Sequence, residues 1–183
     1  MRALLVPVKA FRFAKLRLAP VMGPEGRAEL ARELAARVLS SAPSLSTFVA
    51  CDDGEVADFA IDHGAQVLWT PGRGLSGAVG AAVVHLATTG FELVVVAHAD
   101  LPFVPPLAEF GRENAVTLAP DRQMDGTNVI AVPARSGFRF AYGPSSFHRH
   151  LAEAARLGLP TETVRDWRLA TDVDHPSDVP LVR

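Results

Sequence analysis

The sequence predicts a Rossmann-like α/β protein with three layers, in which helices cover both faces of a mostly parallel central sheet. Short runs rich in β-branched residues alternate with helical patterns along the chain, as in folds built on a parallel sheet. The run ELVVVAHAD at 92–100 is almost continuously apolar, which is typical of a strand buried on both faces. No repeat, linker or low-complexity tract interrupts the chain, so we expect one domain over residues 1–183.

The first half of the chain contains three strands, each followed by a helix. The helix predicted over 25–42 carries Leu30, Leu34 and Val38 on one face. The next two helices each end at a glycine, Gly64 and Gly90, as helices commonly do. Strands are predicted over 3–8, 46–52 and 65–70, and the second and third helices over 55–64 and 77–90.

The second half begins with the buried run at 92–100. After it, a helix is predicted over 146–157, where Gly158 and Pro160 end it. A last extended piece reaches the segment ATDVD at 170–174. Further extended segments are predicted over 115–121, 127–133 and 138–143.

Composition excludes several classes of protein. A net charge of -2 gives no general basic surface, so we expect neither nucleic-acid nor membrane binding. The sequence contains no run of about 18 apolar residues, the length needed to span a bilayer. The single cysteine, Cys51, cannot form an internal disulfide, which favours a reducing compartment and a soluble, cytoplasmic protein.

Cations and carboxylates are placed where strands of such a sheet end. The only two lysines, Lys9 and Lys15, follow the first strand together with Arg17. Asp100 follows the central strand, and Asp172 and Asp174 lie in the last extended piece. Ligands collect at the carboxyl ends of parallel strands. Each group alone could be a solvated charge or a turn former; together they predict a site that binds a polyphosphate through cations and Mg²⁺ through carboxylates.

Three phosphate-binding designs compete for this site. A Walker loop is excluded because no glycine occurs before Gly23. The stretch GRGLSG, Gly72 to Gly77, has the form of a dinucleotide fingerprint with Asp100 beyond it, so an NAD-dependent oxidoreductase is one alternative. It leaves the cations and Asp172 and Asp174 unexplained. A nucleotidyltransferase uses all of them, while a non-catalytic nucleotide-binding regulator would be expected to lack some.

Five segments carry a resemblance to a known family. VPVKAFRFAKLRL, ADLP, APDRQMDGTN, YGPSSFHRH and TDVDHPSD occur in this order between the first strand and Asp178. They resemble the 2-phospho-L-lactate guanylyltransferases of deazaflavin coenzyme F-420 biosynthesis, whose bacterial members include phosphoenolpyruvate guanylyltransferases. The resemblance implies a nucleotidyltransferase fold of the glycosyltransferase-A type. It also implies GMP transfer from GTP to a phosphorylated three-carbon acid, although another nucleotidyltransferase, such as a molybdopterin guanylyltransferase, stays an alternative.

The resemblance also implies roles for individual residues. By the resemblance, Asp100 and Asp174 would hold Mg²⁺. Charge alone, without the family, assigns the triphosphate to Lys9, Lys15 and Arg17, and the position of Asp172 adds it to the possible metal ligands. Lys15, Arg17, Asp100 and Asp174 form the expected catalytic set. The phospho-acid would be held by Thr127, Asn128, Gly143 and Ser146. The nucleotide would also contact Gly74, Leu75 and Ser76 in the loop before the third helix.

Several points stay open at this stage. Ser76 stands where the family usually has Asn, which changes the hydrogen bonds that the loop offers. Ser146 could instead be a helix N-cap. We expect surface or capping roles for His148 and His150. The acid is open among phosphoenolpyruvate, 2-phospho-L-lactate and 3-phosphoglycerate, and so is the oligomeric state, a homodimer included.

Overall fold

A computed structural model describes residues 1–182, which form seven strands and five α-helices. The strands are β1 Arg2–Pro7, β2 Ser46–Cys51, β3 Gln66–Trp69, β4 Leu93–Ala97, β5 Val116–Pro120, β6 Thr127–Pro133 and β7 Thr161–Thr163. The helices are α1 Pro24–Leu39, α2 Gly54–Asp62, α3 Gly74–Thr88, α4 Ser146–Arg156 and α5 Trp167–Ala170. Short 3-10 helices occupy Phe11–Phe13, Leu16–Leu18 and Pro176–Val182.

All seven strands belong to one sheet, in the order β3-β2-β1-β4-β6-β5-β7. Every neighbouring pair is parallel except the two pairs that involve β6. From β1 the chain first builds outward to β2 and β3, and then returns to add β4 on the opposite side. The predicted mostly parallel sheet is confirmed, and its switch in strand order lies between β1 and β4, where ligands bind in such folds.

Helices cover both faces of the sheet, as predicted. On one face α1 and α2 pack through residues such as Ala35 and Val56. On the other face α3 and α4 pack through residues such as Val79 and Phe147. The five residues of β4 are all fully buried, so the continuous apolar run is indeed a central strand between the two helical layers.

The extended strand predicted at 138–143 is wrong. The segment is irregular, although Phe138 and Phe140 are buried against α4, which explains the alternating pattern. Its backbone N–H groups donate to side chains instead of a neighbouring strand: Arg139 to Glu153, Ala141 to His150 and Tyr142 to Ser76. Alternation showed that one side of the segment is buried, but it did not show where the hydrogen bonds go.

Three further elements differ from the sequence prediction. Strand β7 was missed because its three residues are exposed at the sheet edge and show no apolar pattern. Helix α3 begins at Gly74, three residues before the predicted start at Gly77. The predicted extended piece at 170–174 begins within α5, which ends at Ala170 and is followed by irregular chain.

The antiparallel direction of β6 matters for the site. Its first residues lie beside the end of β4, since Val129 pairs with Ala97 and the His98 N–H donates to the Asn128 carbonyl at 2.9 Å. Thr127 and Asn128 therefore lie at the same edge of the sheet as Asp100. Within residues 1–182, no helix is both long and apolar enough to cross a membrane.

Candidate active site

A cleft of about 600 Å³ opens at the carboxyl edge of the sheet, across the switch in strand order. His98 and Asp100 line it beyond β4, and Asp174 approaches from the end of the chain. Lys9 lines it beyond β1 and Asp52 beyond β2. Gly74 and Leu75, at the start of α3, line the end next to β3. The cleft therefore brings together chain segments that are far apart in sequence.

Lys15 lies at the centre of the charged end of the cleft. Its Nζ atom is 2.7 Å from Asp100 Oδ2 and 3.4 Å from Asp174 Oδ1. The side chain is only 7% exposed, and its backbone takes the left-handed conformation with φ +53 between the two short 3-10 helices. One ammonium group thus lies between two carboxylates and offsets their mutual repulsion.

The surroundings of Asp100 lower the pKa of its carboxyl group. Burial would raise its pKa, but attraction to Lys15 and then to His98 outweighs that penalty and lowers it. Its Oδ1 atom is buried and has no hydrogen-bond partner among residues 1–182. A buried carboxylate oxygen without a partner is costly in a folded protein and is a ready ligand for a cation.

The two remaining cations, Lys9 and Arg17, are both exposed. Arg17 donates to Asp174 Oδ2 at 3.0 Å, and its side chain is 67% exposed. It does not itself line the cleft. Lys9 lines the cleft, and its Nζ lies 5.8 Å from the ring centroid of Phe13. The structure therefore brings the three predicted cations to the same end of the molecule as Asp100 and Asp174, two of the three predicted carboxylates, and Lys15 is the most enclosed cation.

Asp178 holds the segment that carries Asp174. Its Oδ2 atom accepts from the backbone N–H groups of Asp174 and His175 at 3.1 and 2.8 Å. Its Oδ1 atom accepts from Arg122 Nη2 at 2.8 Å. Burial would raise the pKa of Asp178, but the hydrogen bonds from Arg122 and the backbone lower it. This ion pair links the loop after β5 to the segment that carries Asp174.

Comparison with known proteins identifies the family. The family described as guanylyl transferase CofC like matches residues 1–182. The chain belongs to this family. A phosphoenolpyruvate guanylyltransferase of Sphaerobacter thermophilus is 32% identical over 183 residues, which cover 95% of this chain and 88% of the relative. A 2-phospho-L-lactate guanylyltransferase of Halorubrum lacusprofundi is 35% identical over 175 residues, or 90% of this chain and 76% of that protein.

Solved structures support the same fold. A putative nucleotide-diphospho-sugar transferase from Desulfovibrio desulfuricans superposes with a TM-score of 0.78 at 18% identity, covering 95% of this chain and 82% of the other. A nucleotidyl transferase from Methanothermobacter thermautotroptrophicus gives a TM-score of 0.70 at 15% identity, with 100% and 96% covered. The nucleotidyltransferase fold predicted for this guanylyl transferase family member is therefore confirmed.

The dinucleotide alternative is not favoured. Gly72 to Gly77 follow β3, which is an edge strand of the sheet, whereas the switch in strand order lies between β1 and β4. The family match likewise favours guanylyl transfer over hydride transfer.

Asp172 lies beside the charged cluster but does not line the cleft, whereas Asp174 does. Burial, followed by repulsion from Asp100, raises the pKa of Asp172 to about 6. Its carboxyl group is therefore influenced by Asp100 although it does not line the cleft. Of the three predicted carboxylates, Asp100 and Asp174 are the two that line the cleft.

The predicted phospho-acid residues at the start of β6 are buried. Thr127 Oγ1 lies 3.0 Å from His150 Nδ1, and Asn128 Nδ2 donates to the Leu169 carbonyl at 2.9 Å. The surface or capping role expected for His150 is wrong, because its ring is fully buried and its Nε2 accepts from the Ala141 N–H at 3.0 Å. Since Nε2 accepts, Nδ1 carries the proton and donates to Thr127.

Helix α4 begins at Ser146, as predicted, but Ser146 is not its N-cap. Ser146 is its first residue, and the N-cap position belongs to Ser145, which has φ +57. The backbone N–H and hydroxyl of Ser145 both donate to Asp125. Ser146 is buried at the turn that follows Gly143. The N-terminus of α4 nevertheless lies next to the loop 121–126, since the Phe147 N–H donates to the Asp125 carbonyl.

Gly74, Leu75 and Ser76 form the first turn of α3 rather than a loop before it. Gly74 and Leu75 line the cleft, but Ser76 does not. The Ser76 hydroxyl accepts the backbone N–H of Tyr142 at 2.9 Å, so it holds the irregular segment 138–143 against α3. The serine found in place of the family asparagine therefore has a structural partner.

Sequence reasoning missed four residues around the site: His98, Arg122, Asp178 and Asp52. His98 lines the cleft, and its Nε2 is buried without a partner among residues 1–182. Burial, and then repulsion from Lys15, lowers its pKa although Asp100 opposes the shift. Asp178 lay within a quoted motif, but only the folded chain shows that its side chain reaches back to Asp174.

Proposed function

We propose that this protein transfers GMP from GTP to phosphoenolpyruvate or 2-phospho-L-lactate, with release of pyrophosphate, in the biosynthesis of deazaflavin coenzyme F-420. The observation that carries the proposal is the family match over residues 1–182, because the two curated relatives are named for these two reactions. The cleft supplies what such a reaction needs, namely cations, paired carboxylates and an adjoining less polar end.

The chemistry is a displacement at phosphorus. A phosphate oxygen of the acid attacks the α-phosphorus of GTP, a new P–O–P bond forms, and the bond to the β-phosphate breaks. Both reactants are anions, and each pair of unit charges about 4 Å apart repels by roughly 4 kcal/mol at an effective dielectric constant of 20. Catalysis therefore requires neutralisation and alignment. A phosphate monoester is already an anion near pH 7, so this step needs no general base.

Lys15 is the cation best placed to act on the reacting groups. It is enclosed, it contacts Asp100, and it lies at the switch in strand order. In the reaction it would hold the β- and γ-phosphates with Lys9, while Arg17 would contribute from the more exposed side. The same contacts would stabilise the pyrophosphate as it leaves.

Asp100 and Asp174 are suited to bind Mg²⁺. This ion takes one or two carboxylates together with phosphate oxygens and water, and the unpartnered Oδ1 of Asp100 is such a ligand. Groups of three or more candidate metal-binding side chains do not occur within residues 1–182, which fits an ion that also depends on substrate oxygens. When bound, Mg²⁺ would neutralise phosphate charge and help to orient the α-phosphate.

The two substrates can approach the carboxylates from opposite sides. The cleft extends from β4 across β1 toward β2 and β3, and this part would hold GTP. The start of β6 lies on the other side of β4, where Thr127, Asn128 and the Gly143–Ser146 turn would hold the phospho-acid. An in-line displacement requires attacking and leaving groups on opposite sides of phosphorus.

A pyrophosphate-release assay tests the proposal. Purified protein is incubated with GTP, Mg²⁺ and one of phosphoenolpyruvate, 2-phospho-L-lactate or 3-phosphoglycerate, and the reaction is coupled to the transferase that accepts the deazaflavin. We expect release with phosphoenolpyruvate or 2-phospho-L-lactate, and none without an acid. Release that is independent of any acid, or absent with all three, would contradict the proposal.

A further inference from the structure

The cleft has a second end that none of the proposed roles so far explains. Asp52 follows β2 directly and lines the cleft on the side away from Asp100 and Asp174. Its side chain is exposed, and it makes no hydrogen bond or ion pair with the residues that the structure describes. The other two carboxylates of the cleft are both paired with Lys15. Asp52 is thus the carboxylate left free for a ligand.

The neighbouring Asp53, unlike Asp52, has hydrogen-bond and ion-pair partners among residues 1–182. Asp53 is buried, accepts the Val56 N–H as the N-cap of α2, and pairs with Arg12. Its oxygens are therefore committed to the fold. Asp52 has none of these partners, so folding does not account for its carboxylate.

The walls near Asp52 suit a flat, weakly polar ring. Val8, Ala50, Leu75 and Ala78 line this part of the cleft. The one hydroxyl there, on Thr70, already donates to the Cys51 carbonyl at 3.4 Å. An apolar slot with one free carboxylate at its margin orients a ligand through few but specific polar contacts.

The distance from the charged end matches one nucleotide. Strand β1 separates β2 from β4, and neighbouring strands lie about 4.8 Å apart. Asp52 and Asp100 therefore follow strands that are about 10 Å apart, by two such spacings. A nucleotide whose phosphates bind next to Lys15 would extend its base across β1 toward Asp52.

We propose that Asp52 selects guanine over adenine by accepting hydrogen bonds from N1–H and the 2-amino group of the base. An ionised carboxylate only accepts hydrogen bonds, and this edge of guanine presents two donors. Adenine presents the N1 lone pair at the same place, which faces the carboxylate unfavourably and leaves it unpaired. Such a mismatch rejects the wrong ligand as well as favouring the right one. The inference rests on the proposed use of GTP and adds the group that recognises the base.

Nucleotide binding to an Asp52→Asn variant tests this. Asparagine offers one acceptor and one donor, which complement the N1–H and 2-oxo group of xanthine. Affinity for GTP, measured by calorimetry with Mg²⁺, should fall about 10- to 100-fold, the equivalent of a hydrogen bond to a charged group. Affinity for xanthosine triphosphate should rise. Asp58→Asn, an exposed aspartate on α2, is the matched control and should leave both affinities unchanged.

The outcomes separate this inference from the proposed function. A reversed preference between GTP and xanthosine triphosphate supports the role of Asp52, whatever happens to catalysis. An equal loss for both nucleotides, or an unchanged ratio, overturns it, since a contact to ribose or a general charge effect would act on both alike. If the wild type binds GTP in preference to ATP but releases no pyrophosphate with any acid, the proposed reaction fails while these binding ratios still decide the inference.

Discussion

At the scale of single residues, Lys15 allows two carboxylates to lie at one end of the cleft. It contacts Asp100 and Asp174 simultaneously, and it lowers the pKa of Asp100 against the penalty of burial. Its left-handed backbone is rare for a residue with a side chain and costs roughly 1–2 kcal/mol. A strained residue that carries the central cation is consistent with selection for function at this position.

Replacing Lys15 separates its charge from its backbone. Lys15→Ala and Lys15→Gly both remove the ammonium group, so each should weaken kcat/KM for GTP by about 1.5–3 kcal/mol, the loss of a charged hydrogen bond. Glycine relieves the left-handed strain, so Lys15→Gly should be more stable than Lys15→Ala by about 1 kcal/mol. Steady-state kinetics and urea unfolding measure the two effects. Unchanged kinetics for GTP would show that Lys15 serves only the fold.

Asp100 and Asp172 offer a matched pair of substitutions. Asp100→Asn removes a carboxylate that lines the cleft, and we expect turnover to fall roughly 10²- to 10³-fold, as for other groups that stabilise transition-state charge. Asp172 does not line the cleft, so Asp172→Asn should lower turnover by less than tenfold. Rates at saturating Mg²⁺ and substrates decide the comparison. Near-normal turnover in Asp100→Asn would remove this residue from the catalytic set.

At the scale of elements, the site depends on connections that fix irregular segments. Asp174 lies outside any strand or helix, and its segment is held by hydrogen bonds from the backbone N–H groups of Asp174 and His175 to Asp178. Asp178 is in turn oriented by Arg122 from the loop after β5. Groups that orient metal ligands typically affect metal affinity or activity by 10- to 100-fold.

Breaking the Arg122–Asp178 pair should therefore change the requirement for Mg²⁺. In Arg122→Gln, we expect the Mg²⁺ concentration for half-maximal activity to rise about tenfold, because Asp174 is held less firmly. Arg112→Gln is the control, since the pair of Arg112 with Glu162 is exposed and remote from the cleft. Titration of activity with Mg²⁺ measures the effect. A lower melting temperature with an unchanged Mg²⁺ requirement would mean that the pair only stabilises the fold.

His150 connects α4, β6 and the segment 138–143, and this connection depends on pH. Burial is the main cause that lowers its pKa from 6.5 to about 4. Between these pH values the unfolded chain binds a proton at His150 and the folded protein does not. The contribution of neutral His150 to the free energy of unfolding is therefore fully present above pH 6.5 and is lost as the pH falls toward 4. The loss at pH 5 relative to pH 7 should be about 2 kcal/mol.

A comparison of the wild type with His150→Gln isolates this effect. The variant lacks the titrating ring, so its free energy of unfolding should decline less between pH 7 and pH 5, by about 2 kcal/mol. Urea unfolding at both pH values provides the measurement. Parallel declines in the two proteins would show that His150 is not buried in its neutral form.

At the scale of the whole molecule, the sequence predicted the layered fold because strand runs and helical patterns are local signals. The burial of β4 and the ends of α2 and α3 followed from such signals. The irregular chain did not. The segment 138–143 has the alternation of a strand but bonds to side chains, and β7 has no pattern at all.

For the candidate site too, residues that directly follow strands were predictable, whereas residues in irregular segments were not. Lys9, Lys15 and Asp100 follow strands, so the topology of a parallel sheet places them at one edge. The contact of His150 with Thr127 and the ion pair of Asp178 with Arg122 join residues 23 and 56 positions apart in the chain. Local sequence carries no record of such contacts. Asp52 was missed because adjacent aspartates look alike in sequence. Only the folded structure shows that Asp52 lines the cleft whereas Asp53 caps helix α2.

The charge balance of the whole cleft makes a prediction about ligand-induced stability. GTP bound without a divalent ion places its phosphates beside Asp100 and Asp174, with Lys15 already shared between these carboxylates. Mg²⁺ held by Asp100 and Asp174 would neutralise the charge of these carboxylates and of the phosphates, so GTP binding and the resulting stabilisation should require both ligands together. At a GTP concentration about 100 times its Kd, linkage gives roughly 2.7 kcal/mol. For a protein of this size that corresponds to a rise in Tm of about 5–11 °C.

Thermal unfolding with GTP plus Mg²⁺, GTP plus EDTA, and ATP plus Mg²⁺ tests this balance. We expect the full rise only in the first condition and a shift of less than about 2 °C in the others at the same concentrations, because little ligand is bound there. Asp100→Asn removes one negative charge that repels the triphosphate and one ligand for Mg²⁺. In this variant the rise in Tm with GTP plus EDTA should therefore be larger than in the wild type, and the rise with GTP plus Mg²⁺ should be smaller. A full rise for wild-type protein in EDTA would mean that the cations alone bind the triphosphate, and that Asp100 and Asp174 do not act through a metal ion in nucleotide binding.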